Sequence, residues 1–294
     1  MIESIRLLSE KINVSGAEKE LSDYLFHLLK EKELDPEMDE LGNVIVTNKK
    51  VENPDLLICC PLDNPGFLAL CQENNSVFLS STGKMSKSQK EITHFIDSKG
   101  KSYKIQSKNE IPEYYVIKKK EFHPGEVFRI PSILSEKEGA ISGFFSTRYA
   151  LIYSVLALCD LTKEKPVAIC FTTGFHSPSK SENCLVKKLC PKSVILLNTL
   201  EEKNLSLLVK DGKHCAEVNF KNQILDTAMA EKISLCEKVS DEAVTKAETI
   251  AIPGEVRVAS LTLPCQNKGS ATETVKIAKI RSLTKLLSKL IKKL

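Results

Sequence analysis

The sequence has no apolar run approaching the ~18 residues that a membrane-spanning helix needs, which excludes an integral helical membrane protein. Its opening, MIESIRLLSEKINVSG, scatters charges throughout and has no apolar core segment, so a secretory leader is not expected. None of the 10 cysteines falls in a CxxC pair, which removes zinc ribbons and thioredoxin-like sites. There is no Walker A loop and no GxGxxG, so nucleotide binding has no motif behind it. No GxSxG elbow surrounds Ser146, and no HExxH occurs anywhere. Acid is absent from residues 276–294, which carry seven Lys or Arg. The rest of the chain holds 35 basic against 38 acidic residues, so the net charge of +4 belongs to one terminal segment. A nucleic-acid partner is not expected from so balanced a chain.

What is present is an ordinary globular composition: 294 residues, 42% hydrophobic and 27% charged. That length suits about two domains. Several cysteines sit inside apolar runs such as LLICC and VAICF, where a free thiol acts as a small buried hydrophobe. Reduced thiols in a cytoplasmic protein are expected.

Residues 2–31 read as an amphipathic helix with a break, the second half starting near Ser15 and Glu18 at capping-box spacing. GNVIVTN (42–48) alternates like a strand, and DLLICCPLDN (55–64) reads as a buried central strand. Residues 71–128 are short β-like pieces joined by Gly, Ser, Lys and Asn. Residues 147–162 predict an apolar helix. KPVAICFTTGF (165–175), KSVILLNTLEE (192–202), LSLLVKDG (205–212) and VRVASLTLP (256–264) predict strands. Residues 222–250 read as helical, and 271–294 as a closing helix. The alternation predicts an α/β, three-layer domain with a mostly parallel central sheet, formed by 1–70 and 129–294. A small all-β module, 71–128, is inserted in it.

In open α/β sheets function gathers at the carboxyl ends of the strands. Here those ends offer Asp63, Asn64, His176 and Asn198. Asp63 and Asn64 serve equally as turn formers in Asp-Asn-Pro-Gly, and a lone His is more often structural than catalytic. The terminal helix carries Leu283, Leu286, Leu287, Leu290 and Leu294 with Lys between them. It reads either as a last helix packed on the sheet or as a membrane-surface helix. TGKMSKS (82–88) is similar to the KMSKS signature of class I tRNA synthetases, but no partner motif or nucleotide fold precedes it.

A series of signatures in fixed order resembles one family. They are Asn13-Val14-Ser15-Gly16-Ala17-Glu18, then Leu41 to Ile45, then Cys60-Pro61-Leu62-Asp63-Asn64-Pro65-Gly66-Phe67, then His123-Pro124-Gly125-Glu126. The chain resembles, over nearly its whole length, the dinuclear metallo-aminopeptidases that assemble into tetrahedral (TET-type) particles. These include the glutamyl and deblocking aminopeptidases, some labelled endoglucanases. The family's Gly-Thr-Asp-Ala is echoed weakly by Ser240-Asp241-Glu242-Ala243.

The resemblance implies an aminopeptidase-like fold and a cleft that once held two divalent cations. It also places the family's metal ligands on Pro61, Ser146, His176, Asn198 and Gly269, and its general base on Phe175. Asp63, Arg148, Ser270 and Glu273 are kept. Pro, Ser, Asn and Gly are poor replacements for ligands, and a Phe cannot accept a proton. The expectation is therefore a catalytically inactive pseudopeptidase with no catalytic residue, no metal ligand and no cofactor. Asp63, Arg148, His176 and Asn198 would form a remnant pocket. Its role would be binding, assembly or regulation, with a peptide ligand or an active paralogue as partner. The alternative is an active aminopeptidase or hydrolase with a rebuilt mononuclear or metal-free site on Asp63, His176 and a nearby Cys or Ser. A homodimer or larger homo-oligomer is implied by the resemblance alone.

Overall fold

In the computed structural model, residues 1–48, 50–83, 92–110, 113–177, 181–250 and 256–294 are described. The KMSKS-like segment at 84–88 lies outside them. Helices α1 (Ile2–Glu10) and α2 (Lys19–Glu31) precede strands β1 (Glu37–Met38), β2 (Val44–Thr47) and β3 (Leu56–Pro61). Six strands follow: β4 (Phe67–Glu73), β5 (Ser76–Ser81), β6 (His94–Asp97), β7 (Ser102–Glu110), β8 (Glu113–Lys118) and β9 (Val127–Arg129). They close into a barrel in the order β4-β5-β8-β7-β6-β9. Phe67, Phe95 and Tyr115 fill it, with ring centroids 4.4 to 5.4 Å apart.

Short strands β10 (Ser135–Lys137) and β11 (Ala140–Ser142) lead into α3 (Ser146–Leu156). Then come β12 (Val167–Thr172), α4 (Ser181–Leu189), β13 (Ser193–Glu201), β14 (Leu205–Asp211), β15 (His214–Cys215), α5 (Val218–Ala230) and β16 (Leu235–Ser240). The chain ends with β17 (Arg257–Cys265), β18 (Thr274–Lys276) and α6 (Ile277–Lys292).

The central sheet runs β1-β2-β12-β3-β13-β17-β14-β15, with β16 pairing β14. It is mixed, which corrects the mostly parallel expectation. The pairs β12/β3, β3/β13, β13/β17 and β14/β16 are parallel, while β1/β2, β2/β12, β17/β14 and β14/β15 are antiparallel. The physical reason lies in connection length. A parallel return needs a crossover of about a dozen residues or more. Only residues 202–204 join β13 to β14, so β14 reverses direction and pairs antiparallel to β17. The second correction concerns residues 222–250. The helix stops at Ala230, where Lys232 enters the left-handed region at φ 54°, and β16 follows. Leu235 and Val239 stand four apart, a helical spacing, because β16 is a charged, half-exposed edge strand without strict alternation.

Helix α3 buries ten of its eleven residues, as a helix between a sheet and other helices must, its first turn Ser146-Thr147-Arg148 included. Helix α6 buries Ile280, Leu283, Leu286, Leu287, Leu290 and Ile291. Its lysines face outward, with Lys285 and Lys289 reaching Glu231 at 2.9 and 2.7 Å. The apolar stripe is thus spent on the protein's own core, and the membrane-surface reading loses its face. No helix among the described residues is long and apolar enough to cross a membrane. All 10 cysteines are free.

Candidate functional site

The central parallel strands bring Pro61, Thr172, Glu201 and Cys265 to one edge of the sheet. The segments leaving those ends enclose a cleft of about 340 Å³. Arg148, Phe175, His176, Asn198 and Gly269 all line it. Residues scattered over 120 positions therefore meet at one place. Pro61, Ser146 and Asp63 lie behind the wall, each buried.

Asp63 sits two residues past the end of β3 and is fully enclosed. Its Oδ1 accepts from the Phe175 N–H at 2.8 Å and its Oδ2 from the His176 N–H at 3.0 Å. Both oxygens hold the turn after β12. The neighbouring Glu18 does the same for the preceding residue, accepting from Gly174 N–H at 2.8 Å and Gly16 N–H at 3.0 Å through Oε1. Burial raises the Glu18 pKa, with the Asp63 charge adding to it. The motif Asn13 to Glu18 is thereby docked onto the strand ends: Asn64 N–H donates to Asn13 O at 2.8 Å and Asn13 Nδ2 to Leu62 O at 3.0 Å.

Arg148, in the first turn of α3, is buried. It does not pair with Asp63 within ion-pair distance. Its guanidinium lies over the Phe175 ring at 5.4 Å, and Lys246 Nζ approaches the same ring at 5.7 Å. Burial holds the Arg148 pKa below its ordinary value. Lys268 is held low by burial and then by Arg148. His176 is pushed down to about 4, first by burial and then by Arg148, Lys268 and Lys246, against the pull of Asp63. The imidazole is neutral at physiological pH.

Asn198 Nδ2 donates to the Val244 carbonyl, and its Oδ1 is enclosed without a partner. Ser146 Oγ donates to Glu273 O at 2.9 Å. Glu273 accepts from Thr147 N–H at 3.0 Å and Gly269 N–H at 2.7 Å. Phe145, between Gly143 and Ser146, is left-handed at φ 58° and lines the cleft. Such a conformation costs a non-glycine residue roughly 1–2 kcal/mol. The barrel reaches this site at Gly83, where an added Cβ would lie 3.0 Å from the His176 Cβ.

Lysines 246 and 268, Phe145 and Glu201 escaped the reading of the sequence. Lys268 stands next to Gly269 at a strand end, where a cation is legible in the sequence itself. Lys246 carried no local signal, because the segment around it read as helix.

A layered α/β sheet with a barrel over the edge where its parallel strands end defines an aminopeptidase-like fold. More narrowly, it is the TET aminopeptidase fold. The chain superposes with a TM-score of 0.85 on a TET aminopeptidase from the archaeon Thaumarchaeota archaeon SCGC AB-539-E09, at 15% identity, covering 100% of this chain and 96% of that one. The TET1 peptidase of Pyrococcus horikoshii gives 0.82 at 17% identity, over 99% and 98%. An endoglucanase from Thermotoga maritima gives 0.77 at 17% identity, over 98% and 96%. No family model and no curated protein matches.

These comparisons correct one expectation. The chain was expected to take no cofactor, yet the structures that share its fold are peptidases and aminopeptidases, and that likeness gives no support to a chain without a cofactor. Whether the residues at the strand ends fit a metal pair is a matter of geometry. Among the described residues no three of His, Cys, Asp or Glu come together as a metal site would require. Asp63 and Glu273 spend their oxygens on backbone N–H groups, and Arg148, Lys246 and Lys268 bring positive charge to the same cleft. These donors do not fit two divalent cations.

Proposed function

We propose that this protein is a catalytically inactive aminopeptidase-like protein, a pseudopeptidase that binds a peptide in the cleft at its strand ends. The role is binding, assembly or regulation, alone or beside an active paralogue. One observation carries this reading: the buried carboxylates of the site are engaged by backbone N–H groups. Asp63, Glu273 and Glu18 are tied to backbone N–H groups. The position that resemblance gives to the general base is Phe175, whose ring faces two cations. General-base catalysis needs an acceptor within hydrogen-bond reach of the attacking water. The alternative of a hydrolase rebuilt on Asp63, His176 and a nearby Cys or Ser is disfavoured by the two backbone N–H bonds that already hold Asp63.

In the same reading Arg148, His176 and Asn198 are pocket residues, and Asp63 is a tie between strand ends. Residues 71–128 form an inserted module on the unit made by 1–70 and 129–294. A homo-oligomer is inferred from the P. horikoshii peptidase, which assembles into a tetrahedron or a large octahedral shell. A cytoplasmic setting accords with ten free thiols.

The test is turnover of aminoacyl reporters by protein soaked in zinc, cobalt or manganese, with metal content read by elemental mass spectrometry on the same samples. No turnover above the blank is expected under any of the three. Turnover that depends on metal and is lost on chelation would overturn the reading and restore the aminopeptidase.

A further inference from the structure

Arg148 keeps 6% of its surface exposed, yet it has little to pair with. Its one hydrogen bond among the described residues is a long 3.4 Å contact from Nη1 to the Pro61 carbonyl. A guanidinium carries five donors. None of its nitrogens is enclosed without a partner, and Arg148 lines the cleft, so the remaining donors open onto that space. Lys268 lines the same cleft, its Nζ giving one donor to the Thr199 carbonyl at 2.6 Å. Lys246 Nζ donates to the Ser177 carbonyl at 2.9 Å.

The carboxylates nearby do not neutralise this charge directly. Glu273 holds Thr147 and Gly269, and Asp63 holds Phe175 and His176. Glu201 Oε1 accepts from the Asn267 N–H at 3.2 Å. An enclosed cation without a close counter-ion is costly, and an anion that enters supplies the missing partner. The planar fork of arginine matches a carboxylate two bonds at a time. Phe145, Phe175 and Pro65 add apolar wall next to it. The volume, about 340 Å³, is at the small end of ligand clefts and suits the end of a chain rather than its middle.

We propose that the cleft captures the C-terminal carboxylate of a peptide, gripped by Arg148 with Lys268 in the same cleft, and the terminal side chain against Phe145 and Phe175. This rests on the reading of the cleft as a peptide site and goes beyond it by fixing the direction of entry, carboxylate first.

Calorimetric titration tests it with four probes on the full chain. They are N-acetyl-alanyl-phenylalanine as the free acid, the same compound as its C-terminal amide, alanyl-phenylalanine amide with a free amine, and inorganic phosphate. The free acid is expected to bind about tenfold or more tightly than each of the others. Lys268→Gln is expected to weaken the free acid about tenfold and leave the amide unchanged, and Arg148→Gln to do at least as much where circular dichroism shows it folded. Equal binding of acid and acetylated amide overturns the carboxylate grip. Phosphate binding as tightly as the acid makes this a general anion site and overturns the peptide assignment. Tight binding of the free-amine amide alone overturns the direction but leaves the peptide reading standing. Binding of none of the four overturns both.

Discussion

At the scale of single residues, retention and function separate. Asp63 is the most conspicuous acid at the strand ends, and its two oxygens are both occupied by the backbone of the next strand's turn. Leaving a buried donor unpaired costs about 1–3 kcal/mol. Asp63→Ala orphans two, so a loss of about 2–6 kcal/mol is expected in urea unfolding. Asp63→Asn, which keeps one acceptor oxygen, is expected to lose roughly half of that. Equal stability of wild type and Asp63→Ala would contradict the tie. His176 gives a second handle. Its imidazole is near 6.5 in an unfolded chain and about 4 in the fold. Between those values the unfolded chain binds a proton that the folded one refuses. His176 therefore has its full stability above about 6.5 and loses it as pH falls toward about 4. On chelator-treated protein, imidazole resonances should place His176 near about 4. A His176→Gln variant should lack that part of the acid slope. Titration near 6.5 would show that neither burial nor the three surrounding cations act on the ring as the fold implies.

At the scale of elements, the motifs that made the chain recognisable are mostly joints. The loop Asn13 to Glu18 lies against the end of β3, and Gly66 permits the contact. A Cβ there would stand 2.4 Å from Val14 Cγ2. Overpacking of this kind costs about 1–3 kcal/mol, so Gly66→Ala is expected to lower the urea midpoint. Val14→Ala removes the nearest atoms, and the double variant should recover about 1 kcal/mol relative to the sum of the two. Simple additivity would mean that the loop moves aside. This explains what was legible in the sequence. Strands with continuous apolar runs, such as β3 and β12, are visible because burial on both faces dictates their composition. Joint residues are visible because few side chains fit them. Edge strand β16 was hidden, since solvent on one side relaxes its pattern. The reversal at β14 was readable from a three-residue connection, but only by asking how far a chain can travel.

At the scale of the whole molecule, the cleft residues were legible by order and not by role. Their positions along the chain placed them at strand ends, yet the sign of the charge there emerged only when Arg148, Lys246 and Lys268 were brought together. No linear pattern links residues a hundred positions apart. The same long-range closure bears on how the protein unfolds. Barrel residues Phe67, Phe95, Tyr115 and Phe128 belong to one continuous hydrophobic cluster with Ile58, Phe171, Leu197 and Leu263 of the sheet. The barrel also touches the cleft wall at Gly83. A module with its own separate core would melt independently, whereas one that shares a core unfolds with its host. The barrel holds three of the six tyrosines, Tyr103, Tyr114 and Tyr115, and the chain has no tryptophan. Near-ultraviolet dichroism therefore reports about half on the barrel, the other three tyrosines lying in α2 and α3, and far-ultraviolet dichroism largely on the helices around the sheet. The two signals are expected to change together in urea, with a single midpoint. Two separated midpoints would show that the barrel folds as an autonomous unit.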